Sequence, residues 1–174
     1  FASASTLMPI IAKDVLDVGV VEYGYLSAAS AVGAVAVALV ISQVKEIRKQ
    51  GLVFVVAVII FGIATIIFGI TRSFIVAWLA IAVTGGADGV STIVRNTIRQ
   101  LQTPDHVRGR MTSINQIFFM GGPQLGELEA GALARIVGVR TSVILGGVLC
   151  TASAAVLALV LPGLRRYRLH GTAQ

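Results

Sequence analysis

Charged residues are scarce in this sequence. They make up 13% of the 174 residues, whereas 56% are hydrophobic, and a soluble domain usually carries about 25% charged residues. This shortage excludes an intrinsically disordered chain and most soluble enzymes. The chain also has one cysteine, Cys150, and two histidines, His106 and His170, which excludes a disulfide framework and a Cys/His metal cluster. We therefore expect no metal, no cofactor and no enzymatic activity, and the mean hydropathy of +0.89 indicates a membrane protein.

Long uncharged runs predict the helices that cross the membrane, each of which needs about 20 mostly apolar residues. Three runs are uninterrupted, whereas Asp88 breaks a fourth and Glu127 and Glu129 break a fifth. Residues 1–11 are too short to cross and are predicted to end a sixth helix that begins outside the chain, while residues 165–174 form a tail. The predicted complete spans are 23–44, 50–71, 73–98, 109–134 and 141–164. We therefore expect an all-α polytopic membrane protein with five full transmembrane helices and the end of a sixth.

The basic residues predict the orientation of these spans, because cytoplasmic loops carry an excess of lysine and arginine. They fall into two groups that alternate from loop to loop. The larger group is Lys45, Arg48, Lys49, Arg95, Arg99, Arg108, Arg110, Arg165, Arg166 and Arg168. The smaller group is Lys13, Arg72, Arg135 and Arg140. We expect the larger group and the C-terminus in the cytoplasm, so the net charge of +6 reflects membrane topology, and we expect no nucleic-acid partner.

Polar residues share one helical face in the span 73–98. Gly85, Asp88, Thr92, Arg95 and Arg99 follow one another at intervals of three or four residues, which places them on one side of a helix. A charge inside the membrane costs about 3 kcal/mol or more, so this face is expected to meet protein or a water-filled cavity. Asp88 is expected to line that cavity. The two arginines either share it or extend to the membrane surface, and the sequence leaves both possibilities open.

Glycine, proline and glutamate interrupt the span 109–134. Gly122, Pro123 and Gly126 predict a thin, closely packed and flexible helix, because proline removes a backbone donor and clashes one turn earlier. Glu127 and Glu129 are two residues apart and therefore lie on different faces. At most one of them can line a central cavity, where a protonatable carboxylate suits proton coupling. A structural ion pair near the outer boundary is the alternative for each.

The segment between these two spans is predicted to be a cytoplasmic turn. Thr103 can cap a new helix that has Pro104 at its first position. Asp105 would follow in the first turn, where the helix dipole favours an anion. The loop ends with Arg108, Gly109 and Arg110, which are expected to anchor it at the membrane interface.

Two segments resemble a known family. VRNTIRQLQTPDHVRGRM, residues 94–111, followed by GGPQLGELEAG, residues 121–131, resembles helices ten and eleven of the drug- and siderophore-exporting branch of the major facilitator superfamily. The GPQLG core resembles the Gly-Pro motif of antiporters. The resemblance implies a C-terminal six-helix half, with the five spans as helices eight to twelve and residues 1–11 ending helix seven. It also implies that helices nine and twelve lie outside, and these are the two spans that lack polar stripes, 50–71 and 141–164.

This resemblance implies a secondary active transporter in a bacterial inner membrane, one that exports a drug or siderophore by proton-coupled alternating access. Its partners would be the lipid bilayer, a small-molecule substrate and the missing N-terminal half. The alternative is a half-size or non-transporting assembly module that needs a partner half. The residues expected along the substrate or proton pathway are Asp88, Arg95, Asn96, Asn115, Gln116, Glu127 and Glu129. Those expected for helix packing and flexibility are Gly85, Gly122, Pro123 and Gly126.

Overall fold

The computed structural model describes residues 2–43, 50–103 and 108–160. These residues form six helices: α1 (Ala2–Asp14), α2 (Val20–Ser42), α3 (Gln50–Ile70), α4 (Phe74–Gln102), α5 (Arg108–Val137) and α6 (Val139–Val160). Among them, α2, α3, α4 and α6 are long and apolar enough to cross a membrane. The sequence predicted five such spans. With 30 residues α5 is about 45 Å long, but glutamates and arginines lower its apolar character.

The part of the core to which all six helices contribute lies at one end of the bundle, which we call the Arg140 end. There α1, α3 and α5 finish and α2, α4 and α6 begin. A cluster of buried apolar side chains at this end draws on all six helices, including Ile11, Leu26, Phe68, Ile81 and Val143. At the opposite end, the Arg99 end, α3 and α5 begin and α4 and α6 finish. The described residues of the buried cluster do not extend to that end.

The most extensive helix contacts connect α2 to α4, α4 to α3 and α3 to α6, whereas α5 packs mainly against α1 and α6. Glycines bring α2 and α4 together. A Cβ at Gly33 would collide with the backbone of Ala82, and a Cβ at Gly85 would collide with the backbone of Ser30. Small residues permit such close backbone approach between membrane helices. Gly85, one of the glycines predicted for packing, therefore lies at this contact.

The pair α3 and α6 is joined in the same way and is fastened by an arginine. A Cβ on Gly62 or on Gly147 would lie 2.8 Å from the carbonyl oxygen of the other glycine. At the Arg140 end, the Arg140 guanidinium donates hydrogen bonds to the carbonyls of Gly69, at 3.1 Å, and Ile70. The last carbonyls of a helix lack intrahelical partners, and a cation there also favours the helix dipole. Arg140 therefore caps α3 from α6.

The helix α5 begins one residue before the predicted span 109–134 and ends three residues after it. Arg108, Gly109 and Arg110, predicted to anchor the end of the cytoplasmic loop at the membrane interface, form its first turn. The helix runs on without a break through Pro123 to Val137. Gly138 then has φ +87°, a left-handed conformation that glycine adopts readily at a helix end. This glycine sets the sharp turn into α6.

Replacing Gly33 with alanine should destabilise the bundle, because the added methyl group would meet the Ala82 backbone and overpacking typically costs about 1–3 kcal/mol. Gly24 is the matched control, since it lies on the same helix and a Cβ there meets no heavy atom within 4 Å. Gly24→Ala should leave stability unchanged or raise it by about 0.5–1 kcal/mol. Thermal unfolding of the full-length protein in detergent compares the two. Equal melting temperatures would contradict the close α2–α4 contact.

Replacing Arg140 with alanine should also lower stability, because it removes charge-assisted hydrogen bonds worth about 1.5–3 kcal/mol each. Arg72→Ala is the control: Arg72 is exposed in the short α3–α4 connection, where a substitution usually changes stability by no more than about 0.5 kcal/mol. Arg140→Lys should recover only part of the loss, since lysine lacks the planar fork of donors. The same unfolding measurement applies, and an unaffected Arg140→Ala variant would show that the cap contributes nothing.

Candidate functional site

A cavity of about 670 Å³ lies inside the bundle between α1, α2, α4 and α5, with Phe61 of α3 also contributing to its wall. We call it the central cavity. It exists because α4 is held against α2 and α3 while α5 is held against α1 and α6. The space between α4 and α5 is therefore left open.

The α4 wall of the central cavity carries both of its charged groups. Asp88 and Arg95 are exposed and line it together with Gly85. They are two helical turns apart, about 10 Å along the axis, and no ion pair joins them in the described part of the chain. Arg95 instead donates hydrogen bonds to the Ser91 carbonyl at 3.4 Å and to the Thr92 hydroxyl at 3.1 Å. A carboxylate that has no cationic partner among the described residues therefore faces an open cavity.

The α5 wall combines aromatic rings with residues that lack side-chain bulk. Phe118, Phe119, Gly122, Pro123 and Gly126 line the central cavity. A Cβ at Gly122 would meet no heavy atom within 4 Å, so this glycine does not pack against a described helix, although the sequence predicted a packing role. The missing side chain adds to the free volume instead.

The α1 and α2 walls supply hydroxyl groups that the sequence analysis did not single out. Ser5 comes from α1, and Tyr23, Ser27 and Ser30 come from α2. The three α2 residues are four and three positions apart, which places them on one helical face. That spacing is the signal that could have identified them. Together with Asp88 and Arg95 they give the cavity groups that can bind a polar or charged solute.

A cation–π contact lies at the end of the central cavity nearer the Arg99 end. The Arg95 guanidinium carbon lies 6.0 Å from the centroid of the Phe119 ring, within the range of such contacts. Beyond it lies a second space of about 450 Å³, the vestibule, whose lining includes Phe54, Arg99 and Met111. Arg95 lines both the central cavity and the vestibule. The contact between α4 and α5 therefore separates the two spaces.

The structure does not bring all of the predicted pathway residues to the central cavity. Glu129 lines a separate space of about 420 Å³ between α3, α5 and α6, the lateral cavity. Glu127 and Gln116 are exposed and line neither of these two cavities. Asn96 accepts a hydrogen bond from Arg99 at 2.8 Å. Asn115 is half-buried and lies on the Phe119 face of α5 by helical spacing.

Thr103 lies at the end of α4 in the structure. Its hydroxyl donates a hydrogen bond to the Arg99 carbonyl at 2.7 Å, and so it closes the end of α4. Pro104 and Asp105 lie outside the described residues, as do the backbone donors of a helix that Thr103 would cap. Among the residues that the structure describes, no group of three His, Cys, Asp or Glu side chains is arranged to hold a metal ion.

Comparisons with known proteins agree with this architecture. A family model described as transmembrane secretion effector matches residues 1–169. Curated relatives include the enterobactin exporter EntS of Salmonella paratyphi A, Salmonella typhi and Salmonella typhimurium, each 26% identical over 147 residues. The match covers 84% of this chain but 36% of each relative, so the chain spans well under half of their length. No solved structure matches the chain significantly.

If Asp88 faces a water-filled cavity, a cysteine in its place should react with a charged, membrane-impermeant thiol reagent. The experiment uses the full-length protein with Cys150 and every other native cysteine changed to serine. Ser91→Cys is the matched control, because Ser91 is on the same helix and is only 1% exposed. Labelling of Asp88→Cys should be at least about tenfold faster, since the reactive thiolate needs solvent access. Equal labelling rates at the two positions would refute the cavity assignment.

Proposed function

Because the chain belongs to the transmembrane secretion effector family of the major facilitator superfamily, we propose that it forms the C-terminal half of a proton-coupled exporter. The observation that carries the proposal is the central cavity, which places Asp88 and Arg95 between α1, α2, α4 and α5. These are the helices that correspond to seven, eight, ten and eleven in the family resemblance. In such transporters the substrate lies near the bilayer midplane between two halves.

The chemistry of the cavity favours an amphiphilic small molecule as the substrate. Phe118 and Phe119 offer aromatic surfaces, the α2 face offers hydroxyls, and Arg95 offers a guanidinium, which binds oxygen anions well. This combination suits a siderophore or a drug with aromatic and oxygen-rich parts. The enterobactin exporters among the relatives support a siderophore-like substrate. The rest of the binding site would come from the N-terminal half.

In this proposal Asp88 carries the proton. Its carboxylate lines the cavity and is not paired with a basic group of the described residues, so protonation changes the net charge of the cavity by one unit. A proton that enters from outside the cell would neutralise Asp88. Its release to the cytoplasm would restore the charge for the next cycle. Such an exchange couples inward proton movement to outward substrate movement.

The contact between Arg95 and Phe119 would act as the cytoplasmic gate. We place the Arg99 end in the cytoplasm because the basic residues concentrate there, in a bacterial inner membrane. A cation–π contact is worth about 0.5–2 kcal/mol, which is small enough to break and re-form in each cycle. Opening it would join the central cavity to the vestibule and admit substrate from the cytoplasm.

The test is efflux by the full-length protein in everted membrane vesicles with an imposed proton gradient. Asp88→Asn should lower gradient-dependent efflux by at least about tenfold, or about 1.4 kcal/mol, while substrate binding persists. Glu127→Gln is the matched control, since Glu127 is exposed and lines neither cavity. Normal efflux with Asp88→Asn would overturn the coupling role. No efflux from the unmodified protein would favour the assembly module.

A further inference from the structure

The lateral cavity, on the other side of α5 from the central cavity, has the character of a small-molecule site. Its volume of about 420 Å³ falls within the range of about 300–1,000 Å³ for such sites. Its hydroxyls are already engaged: Ser142 donates to the Ala130 carbonyl at 3.1 Å, and Ser153 donates to the Leu149 carbonyl at 2.7 Å. Apart from one carboxylate, the remaining wall is almost entirely apolar.

That carboxylate belongs to Glu129. None of the described residues that line the cavity is basic, and Glu129 forms no ion pair within the described part of the chain. It lies eight residues before the end of α5 at Val137, which is about 12 Å along the helix. An unpaired charge at that depth in a membrane is costly. A ligand that stabilises this site must therefore bring a positive charge together with an apolar body.

The lateral cavity reaches the surface of the bundle along α6. Leu149 and Leu157 line it and are 57% and 48% exposed. This part of the helical surface faces hydrocarbon when α6 spans a membrane. A ligand would therefore reach Glu129 from the bilayer, and only an apolar molecule partitions there. A phospholipid acyl chain fits the apolar walls but leaves the carboxylate without a partner.

From the unpaired carboxylate, the apolar walls and the opening towards lipid, we propose that the lateral cavity binds lipophilic organic cations from the membrane. The site is separate from the central cavity but adjoins it, since Gly126 lines both. At that position α5 places no side chain between the two spaces. A cation bound beside Glu129 would thus lie next to the pathway without occupying Asp88. The proposal stands independently of the transport role assigned to the central cavity.

The test measures tetraphenylphosphonium binding to the purified full-length protein in nanodiscs. Glu129→Gln should weaken binding by about tenfold or more, because the carboxylate that would pair with the cation is lost. Glu127→Gln is the control two residues away and should bind normally. Tetraphenylborate, which has the same shape and the opposite charge, should not compete. Thermal unfolding verifies that each variant is folded.

A second pair of variants tests where the cation binds without changing the charge of the protein. Ser153→Phe should fill the lateral cavity and abolish binding, whereas Ala152→Phe, at an exposed neighbouring position that does not line it, should have no effect. Normal binding by Glu129→Gln or Ser153→Phe would overturn the proposal. If Asp88→Asn lost binding while Glu129→Gln retained it, the cation would lie in the central cavity. That result would also overturn the proposal. Failure of proton-coupled efflux would leave these binding results unchanged.

Discussion

Close backbone contact at glycine is the constraint on which this bundle depends. Lipid tails solvate apolar side chains as well as a neighbouring helix does, so membrane helices associate through tight packing rather than through the hydrophobic effect. Gly33 and Gly85 provide that packing between α2 and α4, and Gly62 and Gly147 provide it between α3 and α6. With α4 fixed on two sides, its remaining face is the one that carries Asp88. The central cavity is therefore a consequence of where the glycines hold α4.

The two ends of the bundle differ because their interactions differ. At the Arg140 end, all six helices bury apolar side chains in one cluster, and the Arg140 guanidinium holds the end of α3 against α6. At the Arg99 end, the vestibule separates α3 and α4 from the start of α5. There a cation–π contact between Arg95 and Phe119 crosses from α4 to α5. In the proposed transport cycle the Arg140 end would stay fixed while the spacing of the helices at the Arg99 end changes.

The sequence predicts much of the α4 wall because one helix determines it. Spacing alone places Asp88 and Arg95 on a common face, and hydrophobic length finds most helices to within a few residues. The two glutamates of α5 show what helical spacing cannot predict. Spacing separates Glu127 from Glu129, but which neighbour each face meets depends on how α5 packs against α6, and this comes from tertiary contacts. The α2 residue Ser27 was missed for a related reason. The free-energy cost of placing an uncharged hydroxyl in the membrane is too small to predict whether that hydroxyl faces lipid or a cavity.

Of the six helices, α5 has the least apolar burial relative to its length: Ala130 is the buried hydrophobic residue that it contributes to the described core. It separates two cavities of different chemistry, and at Gly126 that separation has no side chain. An element with few buried contacts opens at a lower free-energy cost than the core around it. Movement of α5 against a fixed α4 would change the central cavity, the Arg95 contact and the lateral cavity together. The polar and glycine-rich composition that makes α5 a poor candidate for a simple membrane anchor is thus the same composition that leaves it with few buried apolar contacts in this chain.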